Sequence, residues 1–330
     1  MGGVSVSDTW ERIVLEEFAR RLSDTYREYL KTKLPSVSYE TIIKTAREAV
    51  VEIATSIRLN LISKYTQDAM AVVGRFDIYR AMLSDLGVKE DEMKAWIADI
   101  TAYLLINQLL FYHILSCKTK KYPSLPEVKN PLFPEWALYK ELKKLFSLAA
   151  KDYSSIFGPD IISLIERAGG ISALRAIASY IIALKLLRPE HVKEELLGRL
   201  YQESIPPETR KNLGAFFTKP EAARLLAELA IDYWNEKVLD PACGSGTLLV
   251  EAYRRKRNLA PLDINEDELH IKLLNDIFGI DVMLFAYHMT SVNLLAQKPE
   301  VPVRLVNIRA GDGLKPMILC GIKMNNPPLM

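Results

Sequence analysis

The chain has 330 residues, enough for two domains, and 49% of them are hydrophobic while 25% are charged. This composition excludes a disordered tail protein and a collagen-like fibre. The 43 Lys and Arg nearly balance the 41 Asp and Glu, so no global basic field points to nucleic acid or an anionic membrane as the partner. Any basic surface has to be local.

The cysteines and the N-terminus both predict a protein of a reducing compartment. Cys117, Cys243 and Cys320 are far apart and form no CxxC pair, which favours neither a disulfide framework nor a zinc site. The N-terminus has neither the basic nor the apolar region of a secretory signal. Ile100–Cys117 lacks a formal charge over a length that begins to permit a membrane span, but its polar residues favour a buried helix. We therefore predict a cytoplasmic protein without a membrane partner.

Roughly the first 200 residues are predicted to be helical. Apolar residues recur there at three- and four-residue intervals, the period of amphipathic helices. Four prolines between Lys118 and Pro134 interrupt the pattern and predict an extended connector, because proline cannot continue a helix. The predicted helices span residues 8–33, 39–65, 68–86, 90–117, 134–150, 160–187 and 189–203.

The pattern changes after the Pro206–Pro207 pair, where short apolar runs alternate with helical stretches. Such alternation is typical of βαβ units and a parallel sheet. We therefore predict an all-helical domain over residues 1–205 and an α/β domain over residues 206–330. The predicted strands are Lys237–Asp240, Phe278–Asp281, Val301–Val306 and Met317–Met324, and the predicted helices are 220–233, 247–258, 266–276 and 283–296.

A glycine-containing turn, Asp240-Pro-Ala-Cys-Gly-Ser-Gly-Thr247, lies where the first predicted strand meets a helix. Gly244 and Gly246 let a ligand approach backbone that any side chain would obstruct. Leu249 stands where an NAD fingerprint needs its third glycine, and the Gly-Lys-Ser/Thr of a P-loop is missing. We therefore predict that the turn binds a nucleotide-like ligand but is neither an NAD fingerprint nor a P-loop.

Two aspartates follow the next predicted strands. Asp281 is placed to accept hydrogen bonds from ribose hydroxyls, and its alternative role is to cap the helix over Val282–Leu295. Asp312 follows the third predicted strand, where a carboxylate can accept an adenine amino proton. The alternative for Asp312 is a turn former between Gly311 and Gly313.

The fourth apolar run ends in Asn326-Pro-Pro-Leu329. Two successive prolines fix the backbone, so the Asn326 amide and the Pro327 carbonyl point in set directions. Two such acceptors suit an exocyclic amine, which is a poor nucleophile because its lone pair is delocalised into the ring. The motif therefore predicts chemistry on an amino group.

Together with Gly214-Ala-Phe-Phe-Thr-Lys-Pro220, these motifs resemble, in the same order, the amino-group DNA methyltransferases that use S-adenosylmethionine. The resemblance covers about residues 195–330, and it is to the modification subunits of type I restriction systems and the fused type II enzymes in particular. It implies a Rossmann-like, doubly wound methyltransferase sheet, incomplete in this chain, and adenine-N6 methylation of DNA in a restriction-modification system. No metal is implied.

The resemblance also assigns the site. Asp281 takes the ribose of the cofactor and Asp312 its adenine, while Asn326 and Pro327 bind the amino group of a flipped target adenine. Pro328 and Leu329 complete that catalytic motif. The residues assigned to the methionine part of the cofactor are Phe217, Thr218, Asp240, Ala242, Gly244 and Gly246.

Two departures from the family support alternatives. Leu329 stands where the family has an aromatic ring that stacks on the extruded base, and the chain stops at Met330 before further strands or a recognition domain. A half-enzyme that binds cofactor or DNA, completed by another chain, is one alternative, and a guanine amino group in RNA or a glutamine amide in a protein is another. The expected partners are DNA and a specificity or restriction subunit.

Two further features have a structural and a functional interpretation. The basic run Tyr253-Arg-Arg-Lys-Arg257 either tracks DNA phosphates or is favoured by the helix dipole alone at a helix C-terminus. His113 and His288 lie on apolar helical faces and are predicted to be core residues.

Overall fold

The computed structural model describes residues 39–60, 90–186, 218–281 and 284–314 of the chain, all within one compact unit that begins at Ser38. The predicted helices 8–33, 68–86 and 189–203, the fourth predicted strand and the predicted domain boundary at 205/206 lie outside these residues. The described helices of the first half are α1 Tyr39–Asn60, α2 Glu90–Lys118, α3 Ala137–Ala150, α4 Ser154–Phe157, α5 Ile161–Ala168 and α6 Gly170–Leu186.

The core of the helical half is α2. Its segment Ile97–Lys118 is long and apolar enough to cross a membrane, but 89% of the apolar window is buried inside the protein. Polar side chains within it donate hydrogen bonds to backbone carbonyls: Thr101 donates to Ile97 at 2.8 Å, and Gln108 donates to Ile156 at 2.8 Å. The predicted buried helix is therefore confirmed.

One predicted helix is wrong in its extent. The stretch 160–187 forms two helices, α5 and α6, which meet at Gly169 and Gly170, where Gly170 has a φ of +60°. Asp160 caps α5 by accepting a hydrogen bond from the Ser163 amide at 3.1 Å. The apolar period continues through both helices, so the pattern alone did not reveal the break.

The second half alternates strands and helices, as predicted. Within the described residues the sheet has three parallel strands in the order β1-β2-β3, with Leu239 opposite Phe278 and Gly279 opposite Ile308. The central strand, β2, is buried over most of its length. The elements are α7 Pro220–Ala230, β1 Val238–Asp240, α8 Thr247–Leu259, α9 Glu266–Asn275, β2 Ile277–Asp281, α10 Leu284–Leu295 and β3 Asn307–Ala310.

The third strand is displaced from its predicted position. Val301–Val306 was expected to form it, but β3 begins at Asn307. The apolar run instead packs beneath α4: the Arg304 carbonyl accepts a hydrogen bond from the Ser154 hydroxyl at 2.9 Å, and the Val306 amide donates to Ser155 Oγ at 3.3 Å. Val301 and Val306 are buried at the two ends of this run, whereas Leu305 is exposed.

Helix α10 connects the sheet to the helical half. It contacts β2 and β3, and it also contacts α2 and α4. His288 on α10 is buried, and its Nε2 lies 3.2 Å from the Ile156 carbonyl, which also accepts the Gln108 bond. The core placement predicted for His288 and His113 is confirmed.

Acid is expected to destabilise the protein through His288. Burial lowers the pKa of His288 from 6.5 to about 4, so the unfolded chain takes up a proton that the folded protein does not. The free energy of unfolding should therefore fall between pH 6.5 and pH 4 by up to about 3 kcal/mol. Urea unfolding as a function of pH measures this fall.

The matched variant for this prediction is His288→Gln, whose Nε2 can still donate to Ile156 but does not titrate. Its unfolding free energy should depend less steeply on pH over the same window. An equal slope in both proteins would contradict the assignment to His288.

Candidate functional site

Three chain segments meet at the carboxyl edge of the sheet, because parallel strands all end at the same edge. The Cys243 amide donates to the Ile280 carbonyl at 2.9 Å, and the Gly311 amide donates to the Asp281 carbonyl at 2.7 Å. These bonds continue the strand pairing into the loops after β1 and β3. The predicted site residues Asp240, Asp281 and Asp312 are thereby brought to one edge.

The turn after β1, which we call the glycine loop, consists of residues 241–246. Gly244 and Gly246 both have left-handed backbones, with φ of +53° and +81°. The Gly246 amide closes the turn by donating to the Cys243 carbonyl at 2.7 Å, and α8 starts at the next residue. A Cβ atom on Gly244 would meet nothing within 4 Å, so the backbone at Gly244 borders open space.

Asp281 has a contact that the sequence did not predict. Its Oδ2 accepts a hydrogen bond from the Gly244 amide at 2.9 Å. This bond ties the glycine loop to the end of β2. A carboxylate has about four lone-pair positions, so the contact still leaves it capable of accepting further hydrogen bonds.

Asp240 shapes the start of the glycine loop. Its Oδ1 accepts a hydrogen bond from the Ala242 amide at 3.0 Å, in the manner of an Asx turn. Burial raises the pKa of Asp240, and the nearby charge of Asp281 raises it further. The edge therefore concentrates negative charge and favours a ligand that carries positive charge.

Cys243 is a packing residue. Burial raises the pKa of its thiol to about 12, which keeps it neutral and unreactive. A Cβ atom on Gly279 would approach the sulfur to 3.1 Å, so the side chain fills the space above the glycine of β2.

Two polar side chains of α10 contact the glycine loop, and neither was predicted from the sequence. Thr290 donates to the Gly244 carbonyl at 2.8 Å, and Asn293 donates to the Ser245 carbonyl at 2.8 Å. Both are buried. Their polar character, shared with His288 and Ser291 of the same helix, was the signal available in the sequence.

The loop after β3 reaches back to the loop after β1. A Cβ atom on Gly313 would overlap the Pro241 carbonyl oxygen, so the two loops approach as closely as a glycine allows. Asp312 Oδ1 accepts a hydrogen bond from the Leu314 amide at 3.0 Å, which is the turn-forming role considered for it. Its predicted contact with adenine stays a prediction.

Of the predicted site residues outside the edge of the sheet, Thr218 lies within the described residues and the others do not. Thr218 is half-buried just before α7, whose N-cap position is taken by Lys219. Phe217 and the catalytic motif Asn326, Pro327, Pro328 and Leu329 lie outside the described residues.

Basic residues of α8 form ion pairs with acidic residues of the same protein. Arg254 pairs with Glu251 at 2.6 Å, and Arg257 pairs with Glu266 at 3.0 Å. Lys256 is fully buried, with its Nζ 3.5 Å from Asp276 Oδ2. These contacts favour the structural interpretation of the run over DNA phosphate binding.

Residues 192–320 match the family model of the N-6 DNA methylases. This match confirms the resemblance inferred from the motifs. The match ends before Asn326.

The chain is also similar to curated methylase subunits of type I restriction enzymes. The chain is 29% identical over 140 residues to the type I restriction enzyme MjaIX methylase subunit of Methanocaldococcus jannaschii, which covers 42% of this chain and 24% of that protein. It is 25% identical over 114 residues to the type I restriction enzyme EcoEI methylase subunit of Escherichia coli, covering 34% of this chain and 23% of that protein. The matched region thus spans about a quarter of the length of these relatives.

Among solved structures, the chain is similar to a modification subunit of a putative type I restriction enzyme from Vibrio vulnificus YJ016. The sequence identity is 17% and the TM-score 0.39, and the alignment covers 75% of this chain and 56% of that one.

Replacing Gly313 with alanine is expected to separate the two loops. The added methyl group overlaps the Pro241 carbonyl, so the backbone must shift. We expect Gly313→Ala to lower the free energy of unfolding by about 1–3 kcal/mol in urea denaturation. The neighbouring Leu314 is exposed, so Leu314→Ala should change it by less than about 0.5 kcal/mol. Equal stability of Gly313→Ala and the unaltered chain would refute the close approach.

Proposed function

We propose that this chain provides the cofactor site and the amino-group chemistry of an adenine-N6 DNA methyltransferase in a restriction-modification system. The observation that carries the proposal is the glycine loop tied to Asp281 at the edge of a parallel sheet, within the segment that matches the N-6 DNA methylases. We further propose that β1–β3 belong to a Rossmann-like, doubly wound sheet preceded by an all-helical domain over residues 1–205.

The residues at this edge fit S-adenosylmethionine. The cofactor carries a positive sulfonium and a positive ammonium group, which suit an edge with the carboxylates of Asp240 and Asp281. The open space at Gly244 admits a ligand against the backbone. Asp281 would take the ribose and Asp312 the adenine. The methionine part would lie against Phe217, Thr218, Asp240, Ala242, Gly244 and Gly246.

The bound cofactor would supply a methyl group on an electrophilic sulfonium. Asn326 Oδ1 and the Pro327 carbonyl would accept the two N–H bonds of the target amino group, as the family resemblance implies. Two acceptors orient the nitrogen lone pair towards the methyl carbon and stabilise the charge that develops on the nitrogen. Asn326 and Pro327 would hold the nitrogen in line while it takes the methyl group; the cofactor sulfur would keep the electron pair of the broken bond, and the nitrogen would release a proton.

A second function is favoured by one residue of the sequence. Leu329 cannot stack on an extruded base as an aromatic ring does. A chain that binds cofactor or DNA without transferring the methyl group by itself is therefore the competing proposal. The partners we propose are DNA and, because the relatives are type I methylase subunits, a further subunit of such an enzyme. The proposed location is the cytoplasm.

Isothermal titration with S-adenosylmethionine, combined with transfer of a tritiated methyl group to DNA of mixed sequence, tests the proposal. The unaltered chain should bind the cofactor saturably. Asp281→Ala should weaken binding roughly tenfold or more, because it removes a charged acceptor. Asn326→Ala should bind the cofactor normally but lose methyl transfer by on the order of a hundredfold.

Each outcome separates the candidates. Binding together with transfer that Asn326→Ala abolishes supports the methyltransferase. Binding without any transfer supports the half-enzyme. A chain that folds but binds no S-adenosylmethionine contradicts both.

A further inference from the structure

Thr290 and Asn293 form a pair of donors on one face of α10, three residues apart. Thr290 Oγ1 lies 2.8 Å from the Gly244 carbonyl oxygen, and Asn293 Nδ2 lies 2.8 Å from the Ser245 carbonyl oxygen. The two side chains therefore bind consecutive peptide groups of the glycine loop. Thr290 is 0% exposed and Asn293 is 8% exposed, so water does not compete for these bonds.

The two bonds set the orientation of the peptide planes. A trans peptide group is planar, with its C=O and N–H pointing in opposite directions. Because the Gly244 carbonyl points towards Thr290, the Ser245 N–H points away from α10. Because the Ser245 carbonyl points towards Asn293, the Gly246 N–H is directed to the Cys243 carbonyl, which it contacts at 2.7 Å. The direction of the backbone dipoles in the loop thus depends on α10.

Gly244 is held from two sides. Asp281 at the end of β2 accepts from its amide at 2.9 Å, and Thr290 donates to its carbonyl. Thr290 also limits the neighbouring glycine, since a Cβ atom on Gly246 would lie 2.8 Å from Thr290 Cγ2. The left-handed turn is therefore imposed by contacts with β2 and α10 as well as by its glycines.

We propose that Thr290 and Asn293 are positioning residues for S-adenosylmethionine. This inference rests on the proposed function and deepens it, because it assigns the shape of the cofactor loop to two side chains that the sequence motifs do not include. They bind the loop rather than the cofactor. A loop already ordered by these bonds does not have to be ordered by the ligand, so more of the binding energy appears as affinity.

A purely structural role would give a different result. Buried polar side chains are commonly paired only because an unpaired one is costly, and losing such a pair lowers stability without changing a distant binding site. Ser291 provides the comparison: it is fully buried on the same helix, but its hydroxyl donates at 2.8 Å to the Tyr287 carbonyl within α10. Its bond does not reach the glycine loop.

The test compares single variants of the full chain by titration with S-adenosylmethionine and by thermal unfolding. Thr290→Val keeps the volume and removes the donor, and it should weaken cofactor binding about tenfold. Thr290→Ser restores the hydroxyl and should bind within about twofold to threefold of the unaltered chain. Ser291→Ala should lose stability but keep the affinity. Asn293→Leu carries the same prediction as Thr290→Val, so the test stands if one variant fails to fold.

Three results would overturn the inference: unchanged affinity in Thr290→Val and Asn293→Leu, no recovery in Thr290→Ser, or an equal loss in Ser291→Ala. Each of these leaves the proposed function intact if the unaltered chain binds the cofactor. No binding by the folded, unaltered chain would instead overturn the proposed function, and this inference with it.

Discussion

The hydrogen bond from the Gly244 amide to Asp281 joins the glycine loop to the end of β2, and the candidate site is arranged around it. Two left-handed glycines alone would leave the loop many conformations, since glycine restricts the backbone least, and this bond is one of the contacts that select a single one. With it, the loop after β1 and the carboxylate after β2 form one surface. The loop after β3 lies against the loop after β1 where Gly313 approaches Pro241.

The helical half contributes to this arrangement through α10. The Ile156 carbonyl of α4 accepts bonds from Gln108 on α2 and from His288 on α10, so one backbone group links three helices. Two residues further along α10, Thr290 contacts the loop. A chain of buried contacts thus runs from the long apolar helix to the glycine loop. This gives a physical reason why a helical segment accompanies the sheet in one compact unit.

The sequence predicted the elements whose cause is local. The glycine loop, the strand before Asp281 and the helices α1, α2, α8, α9 and α10 follow from glycine conformation and apolar period, and the structure has them near their expected bounds. What the sequence did not predict depends on long-range packing. The run before β3 is hydrogen-bonded to Ser154 and Ser155 of α4, and an apolar pattern alone cannot distinguish such a segment from a strand.

Long-range contacts of the candidate site were likewise not predicted from the sequence. Asp281 was recognised as a ligand candidate, but its bond to Gly244 joins residues 37 positions apart. Thr290 and Asn293 were not recognised at all, because their partners are backbone carbonyls, which leave no motif in a sequence. The basic run on α8 was left with two interpretations, and its ion pairs with Glu251, Glu266 and Asp276 favoured the structural one.

We propose that the loops after β1 and β3, together with Asp281 at the end of β2, form the site for S-adenosylmethionine. Hydrogen–deuterium exchange of the full chain, with and without S-adenosylmethionine, tests it most directly. We expect slower amide exchange in peptides that contain residues 241–247, Asp281 and 311–314, and unchanged exchange in α5 and α6. Exchange that is unchanged in all three segments, or slowed only elsewhere in the chain, would contradict it.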